Sequence, residues 1–185
     1  DARIVAKIER SEAIPRLDEI VQASDAVMVA RGDLGIEVGY AELTGLQKHI
    51  LQVARKHDRV TITATQMLAA MLQSAVPTRA EVSDVANAVL DGSDAVMLSG
   101  ESAVGKYPVR AVEAMSEVIV GAEKYQIARN SRGERFEGRV SEFAQAIAHA
   151  VMYTANHMAV EAIVALTESG ATPLWMSRIR SDIPI

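Results

Sequence analysis

The sequence predicts an α/β fold made of four consecutive strand–helix units, half of a (β/α)8 barrel, followed by the beginning of a second α/β domain. Three observations carry this reading. The pentapeptide SDAVM occurs twice, at Ser24–Met28 and Ser93–Met97, and each copy runs into a small-residue turn that carries a carboxylate. Four strand-like segments end in the polar residues Lys7, Asp33, Thr65 and Ser99, spaced by 26, 32 and 34 positions, close to the roughly 31 residues per unit of a 250-residue barrel. The apolar residues are almost all aliphatic, with aromatics at 4% against a hydrophobic total of 49%, which suits a layered α/β core. A doubly wound sheet is the alternative that spacing leaves open.

Each element has its own signal. Ala2–Glu9 reads as a strand with Val5, Lys7 and Glu9 on one face and Ile4, Ala6 and Ile8 on the other. Ala13–Ala23 has helical spacing at Ile14, Leu17, Ile20 and Val21. Ala26–Ala30 is a short apolar strand, and the two glycines after it predict a loop as far as Gly39. Ala41–Arg55 is a longer amphipathic helix, and Arg59–Thr65 a β-branched strand. Met67–Leu72 is a short helical piece before Pro77, and Thr78 with Glu81 forms a capping box for a helix ending near Leu90 and Asp91-Gly92. The second SDAVM gives another strand, closed by Gly100, and a helix follows from Val109 to Lys124.

The composition turns polar and Arg-rich over Tyr125–Arg139, which predicts a linker and divides the chain into domains 1–124 and 125–185. Ser141–His157 resumes as a helix with Phe143, Ile147, Ala150, Val151 and Thr154 along one stripe. Ala162–Leu166 reads as a strand, and Thr167–Pro173 as the turn into a helix through Trp175 and Ile179.

Composition also excludes function classes. A net charge of −5 offers no basic footprint for nucleic acid. The absence of cysteine rules out disulfides and thiolate metal sites and fits the cytoplasm. No apolar run reaches the length of a membrane span, and no signal-peptide pattern is visible. The chain opens directly into an apolar segment and closes on Ile183-Pro184-Ile185, so the expectation is a piece of a larger protein. The eight methionines read as core filler, and His49, His57, His149 and His157 as structural residues.

The chemistry gathers at the predicted strand ends. Lys7 and Glu9 share a face, and Asp33 ends the next strand about 4.8 Å away, so the three can converge. Two carboxylates beside an ammonium form a hard-cation site that also receives a phosphate; a structural Lys7–Glu9 salt bridge explains the same pair. The glycines in Arg31-Gly32-Asp33-Leu34-Gly35 allow close backbone approach to an anion, or make only a tight turn. Thr65, Gln66, Ser99 and Glu101 are suited to anchoring substrate oxygens or a water. Thr167, Ser169, Gly170 and Thr172 form either a phosphate-binding turn or an ordinary helix cap.

Taken together, ARIVAKIERSEAI at Ala2–Ile14, VARGDLGIE, TITATQML, PTRAEVSDVANAVLDGSDAVMLSGESAVGKYP and LTESG resemble the pyruvate kinase family over nearly the whole chain. The resemblance implies strands five to eight of the catalytic barrel, followed by the start of the C-terminal regulatory domain. It implies phosphoryl transfer between phosphoenolpyruvate and ADP, giving pyruvate and ATP. It gives Lys7 the phosphoryl in flight, Glu9 and Asp33 the Mg²⁺ (or Mn²⁺), and the Gly32 and Asp33 N–H groups with the Thr65 hydroxyl the substrate carboxylate. Thr65 and a water near Ser99 and Glu101 resemble the group that protonates the enolate.

The family also implies K⁺ dependence with ligands outside this chain, a homotetramer in the full-length protein, and an effector phosphate loop at Thr167, Ser169, Gly170 and Thr172. Glu168 and Ala171 stand where fructose-bisphosphate-binding members have basic residues, so AMP or a sugar monophosphate is the expected effector. The barrel's first half and its lid are missing, and the fragment alone is expected to be inactive. The competing readings are another Mg²⁺-dependent pyruvate- or enolate-handling barrel, such as an aldolase, and a non-catalytic effector-binding remnant.

Overall fold

Four strands, β1 (Val5–Ile8), β2 (Ala26–Ala30), β3 (Val60–Ala64) and β4 (Ala95–Met97), form one parallel sheet in the order β1-β2-β3-β4. Every strand therefore pairs with its neighbour in sequence. A doubly wound sheet reverses its strand order at a switch point, so the sequential order removes that alternative and leaves the wall of a barrel. These features come from a computed structural model that describes residues 2–130, 140, 142–179, 181 and 183–185. The chain divides into two compact units, 1–124 and 125–185.

In the first unit, a 3-10 segment, Ser11–Arg16, leads into α1 (Leu17–Gln22). After β2 come α2 (Arg31–Val38) and α3 (Tyr40–Lys56), and after β3 a 3-10 turn, Ala69–Leu72, and α4 (Arg79–Leu90). After β4 come α5 (Gly100–Ala103) and α6 (Pro108–Asn130). Register sorts the side chains by face: Val27 and Val29 align with Thr61 and Thr63, while Lys7, Met28, Ile62 and Ala95 align on the opposite face. The first face is buried. Ile8, Val27 and Val29 pack with Leu17 and Val21 of α1 and Ile50 and Leu51 of α3. A second core joins Met67, Leu68 and Met71 to Val85 of α4 and Met115 of α6. The opposite face, which would line a closed barrel, leaves Val5 and Val60 exposed.

The repeated pentapeptide does the same work at both sites. Asp25 Oδ2 accepts the Ile4 N–H (2.8 Å), and the Asp25 N–H donates to Ile4 O (2.9 Å). Likewise Asp94 Oδ2 accepts the Thr61 N–H (2.8 Å), and the Asp94 N–H donates to Thr61 O (3.0 Å). Each aspartate thus pins the start of the preceding strand and sets the register before the strand begins. The capping box also forms: the Glu81 N–H donates to Thr78 Oγ1 (3.3 Å), and Glu81 Oε2 accepts the Thr78 N–H (2.7 Å).

Four expectations need correction. The segment after β2 is the helix α2 rather than a loop. Its Gly35 marks a close crossing with α3, because an added Cβ would lie 3.3 Å from Leu43 Cδ2. The helix across residue 124 does not stop there: α6 runs to Asn130, into the stretch read as linker, while 131–139 lie outside the described residues.

In the second unit, α7 (Phe143–Asn156) buries Ala148, Met152 and Ala155, and leaves Phe143 83% exposed. A helix that is apolar nearly all round offers several stripes, and the neighbouring elements choose among them. Ala162–Leu166 forms no strand among the described residues; the Ile163 N–H donates to Pro184 O (2.8 Å). The helix after the hydroxyl-rich turn is α8 (Ala171–Ser177), whose Met176 packs with Met152.

Candidate active site

The polar strand ends of β1 and β2 meet. The Lys7 ammonium forms ion pairs with Glu9 and, at 3.4 Å, with Asp33 Oδ2, so both carboxylates lie within reach of one nitrogen. The contacts with Glu9 first and Asp33 second hold the Lys7 ammonium above its ordinary pKa, against a smaller opposing desolvation. Beside them, Ser11 donates to Glu37 Oε2 (3.1 Å) and Arg10 pairs with Glu37 (3.6 Å), tying the end of α2 to the segment after β1.

The carboxylate pair suits a hard divalent cation. Glu9 Oε2 is sealed from solvent and has no hydrogen-bond partner, its ion pair with Lys7 aside. Asp33 is exposed, which leaves room for water and substrate oxygens around an ion such as Mg²⁺. Among the described residues no group of three or more His, Cys, Asp or Glu side chains is close enough to hold a metal.

Thr65 and Gln66, just past β3, both have left-handed backbone, with φ of 69° and 54°. For a β-branched threonine this is an outlier, and strain of this kind costs about 1–3 kcal/mol per residue. The Gly32 N–H donates to Thr65 Oγ1 (2.7 Å), which links the first turn of α2 to this hydroxyl. A Cβ on Gly32 would stand 3.3 Å from Thr65 Oγ1, so the glycine permits the approach.

Arg31, at the start of α2, is 7% exposed and converges on the same turn. Its Nε and Nη2 donate to Thr65 O (3.3 and 2.9 Å), Nη2 also donates to Gln66 O (3.0 Å), and Nη1 donates to Asp84 Oδ1 of α4 (2.7 Å). Nothing local marks this arginine in the sequence. Its partners lie 34, 35 and 53 positions away.

Ser99 and Glu101 occupy the corresponding end of β4. Glu101 is 3% exposed, and both oxygens are engaged by backbone: Leu68 N–H donates to Oε1 (3.1 Å) and Ser99 N–H to Oε2 (2.9 Å). The acid expected to position a water is instead turned inward, because two amide donors solvate it better than a partly open cleft. Ser99 is half-buried beside it.

In the second unit the Thr167 and Ser169 hydroxyls accept from the backbone of their own turn. Gly170 N–H donates to Thr167 Oγ1 (3.0 Å) and Ala171 N–H to Ser169 Oγ (3.3 Å), with Gly170 at φ 80° before α8. His57 contacts Asp18 of α1 (2.9 Å), and His157 contacts Tyr153 O one helical turn back (2.7 Å).

Comparison with known proteins bears on this geometry. The family model described as "Pyruvate kinase, barrel domain" matches residues 1–112, and "Pyruvate kinase, alpha/beta domain" matches residues 145–185. The chain is 54% identical to the pyruvate kinase of Buchnera aphidicola subsp. Baizongia pistaciae, covering all of this chain and 39% of the relative. It is 53% identical to pyruvate kinase II of Salmonella typhimurium, again over 100% of this chain and 39% of the relative. A crystal structure of a pyruvate kinase from Cryptosporidium parvum superposes with a TM-score of 0.87 at 38% identity, covering 99% of this chain and 38% of that one. The chain therefore spans about two fifths of the length of the relatives it matches. With a parallel sheet in barrel order, a family model covering residues 1–112 and identity above one half, the chain belongs to the pyruvate kinase family.

Proposed function

We propose that this chain supplies barrel strands five to eight and the start of the regulatory domain of a pyruvate kinase. In the full-length protein it would serve phosphoryl transfer from phosphoenolpyruvate to ADP. The observation that carries the proposal is Lys7 held between Glu9 and Asp33 at adjacent parallel strand ends. In this reading β1–β4 are strands five to eight, residues 1–124 are the catalytic half and 125–185 the regulatory part.

The roles follow from charge. Lys7, kept protonated by its two carboxylates, faces the transferring phosphoryl and offsets its negative charge without a covalent intermediate. Glu9 and Asp33 would hold Mg²⁺ (or Mn²⁺), which supplies Lewis-acid stabilisation of the substrate oxygens. Thr65 Oγ1 already accepts the Gly32 N–H, so its own proton is free to be donated to the substrate carboxylate or toward the enolate carbon. The first turn of α2, with Gly32 and Asp33, adds the positive end of a helix dipole. Ser99 would hold the proton-delivering water; Glu101, closed on two amides, serves by fixing Ser99.

The sheet explains why the chain alone is expected to be inactive. One edge each of β1 and β4 is unpaired among the described residues, and the face bearing Lys7 is open, so substrate would be half enclosed and wet. K⁺ and most nucleotide contacts would come from elsewhere in the full-length protein, a cytoplasmic homotetramer. For the effector, the turn holding Thr167, Ser169, Gly170 and Thr172 lacks basic residues, which favours AMP or a sugar monophosphate. Activation by fructose bisphosphate alone would contradict this.

The test of the main proposal is Lys7→Met in the full-length protein, assayed by coupling pyruvate formation to lactate dehydrogenase. The expected result is a kcat lower by about 10²- to 10³-fold; unchanged turnover would refute the assignment.

A further inference from the structure

We infer that Arg31 and Glu101 are a pair of positioning residues that hold the turn Thr65–Leu68 in its left-handed conformation from its two ends. The role in turnover rests on the proposed pyruvate kinase reading; the bracing of the turn does not.

Two successive non-glycine residues at φ 69° and 54° do not keep that backbone unaided. At the first end, the Arg31 guanidinium collects the carbonyl oxygens of both strained residues and is itself anchored on Asp84. A planar fork reaches two carbonyls and a carboxylate at once; a lysine ammonium of similar charge has no such geometry. At the other end, Glu101 accepts the Leu68 N–H while its second oxygen fixes Ser99. Between the braces the Met67 and Leu68 side chains are fully buried, so the turn cannot slide. The product of these constraints is the position of one group, the Thr65 hydroxyl, 2.7 Å from the Gly32 N–H.

Both braces are buried, and their hydrogen bonds go to backbone groups and, for Arg31, to the Asp84 carboxylate as well, which is the signature of an organising rather than a reacting group. Glu101 on this account takes no part in proton transfer to the substrate. Its partners are two amide N–H groups, neither of which titrates.

The experiment has two parts. In the full-length protein, amide hydrogen exchange compares wild type with Arg31→Lys and Glu101→Gln. Exchange at Gln66–Leu68 is expected to quicken at least about tenfold in both, with the rest of the sheet unaltered. Unchanged protection in that turn would overturn the inference.

On the full-length protein, Arg31→Lys is expected to lower kcat about 10- to 100-fold with KM changed far less. Adding Gln66→Gly, which makes positive φ inexpensive at an exposed position, should restore much of that loss. No restoration, where exchange shows the turn loosened in Arg31→Lys, would overturn the link between turn and turnover. Glu101→Gln should lower kcat while leaving the shape of the pH–rate profile unchanged; loss of one limb would make Glu101 a proton carrier and contradict the assignment. Should Arg31→Lys fail to fold, Asp84→Asn loosens the same guanidinium and must give the same exchange pattern. Failure of the pyruvate kinase reading would instead appear as a wild-type protein inactive on phosphoenolpyruvate and ADP, with the exchange results intact.

Discussion

The two SDAVM segments begin alike and end differently. At their first residues they are equivalent, with Asp25 and Asp94 each accepting the N–H that opens the preceding strand. At their far ends the first delivers Asp33 into the open, paired with Lys7, and the second delivers Glu101 into the interior, closed on the Leu68 and Ser99 amides. One sequence device thus builds the wall twice. The residues after it decide whether the acid stays exposed or closes on backbone donors.

The difference teaches what sets the fate of a carboxylate. Asp33 sits in the first turn of an eight-residue helix, where its side chain points past the sheet toward the neighbouring strand end. Glu101 sits in a four-residue helix beside the buried turn of Met67 and Leu68, whose amide offers it a donor. Exposure favours a replaceable partner such as a metal ion, whereas burial favours permanent backbone donors.

The contrast is open to attack at several strengths. The largest effect should come from Asp33→Ala in the full-length protein: turnover falls about 10²- to 10³-fold while the melting temperature of the protein hardly moves, as steady-state kinetics and calorimetry would show. Glu101→Ala should reverse the balance of cause. Two buried or half-buried N–H groups lose their acceptor, so unfolding in urea should show a loss of about 2–4 kcal/mol, with any fall in kcat following from the displaced turn.

Smaller effects test the shared beginning. Asp94→Ala should lower the melting temperature more than Asp25→Ala, because Asp94 binds both the N–H and the hydroxyl of buried Thr61 between two paired strands. Asp25 serves an exposed edge and the exposed Arg3. Equal shifts would mean that the repeat acts through propensity rather than through these bonds. Removing the helix cap elsewhere in the unit, Thr78→Ala, should cost about 1 kcal/mol in the same unfolding assay.

The smallest concerns pH. The Ile4 N–H, and after it Arg3, hold the Asp25 carboxyl below its ordinary value of 3.8. A carboxyl depressed in the folded state stabilises above its unfolded pKa, and the contribution is lost as pH falls through the lower folded value. Thermal melts taken downward from pH 4 should therefore fall less steeply for Asp25→Asn than for wild type; parallel slopes would remove the claim.

Much of this was legible in the sequence because it is local. The strand Ala26–Ala30 and the capping box at Thr78 and Glu81 are written in adjacent residues, and the convergence of Lys7, Glu9 and Asp33 follows from strand periodicity and parallel order. What escaped is set by tertiary contacts. The helix α2 hides behind two glycines, Gly32 admitting the Thr65 hydroxyl and Gly35 the crossing with α3, and the buried face of α7 is chosen by Met176 from a helix apolar on most sides. The braces Arg31 and Glu101 carry no local signature, since Arg31 meets Thr65 and Asp84 across 34 and 53 positions and Glu101 meets Leu68 across 33.

The central claim is that the same pentapeptide ends once in a metal ligand and once in a brace. Mn²⁺ binding, followed by electron paramagnetic resonance on the full-length protein, tests it directly with Asp33→Asn and Glu101→Gln side by side. The account predicts that Asp33→Asn weakens Mn²⁺ binding at least about tenfold and that Glu101→Gln leaves it unchanged. Equal weakening by both, or weakening by Glu101→Gln alone, would contradict it.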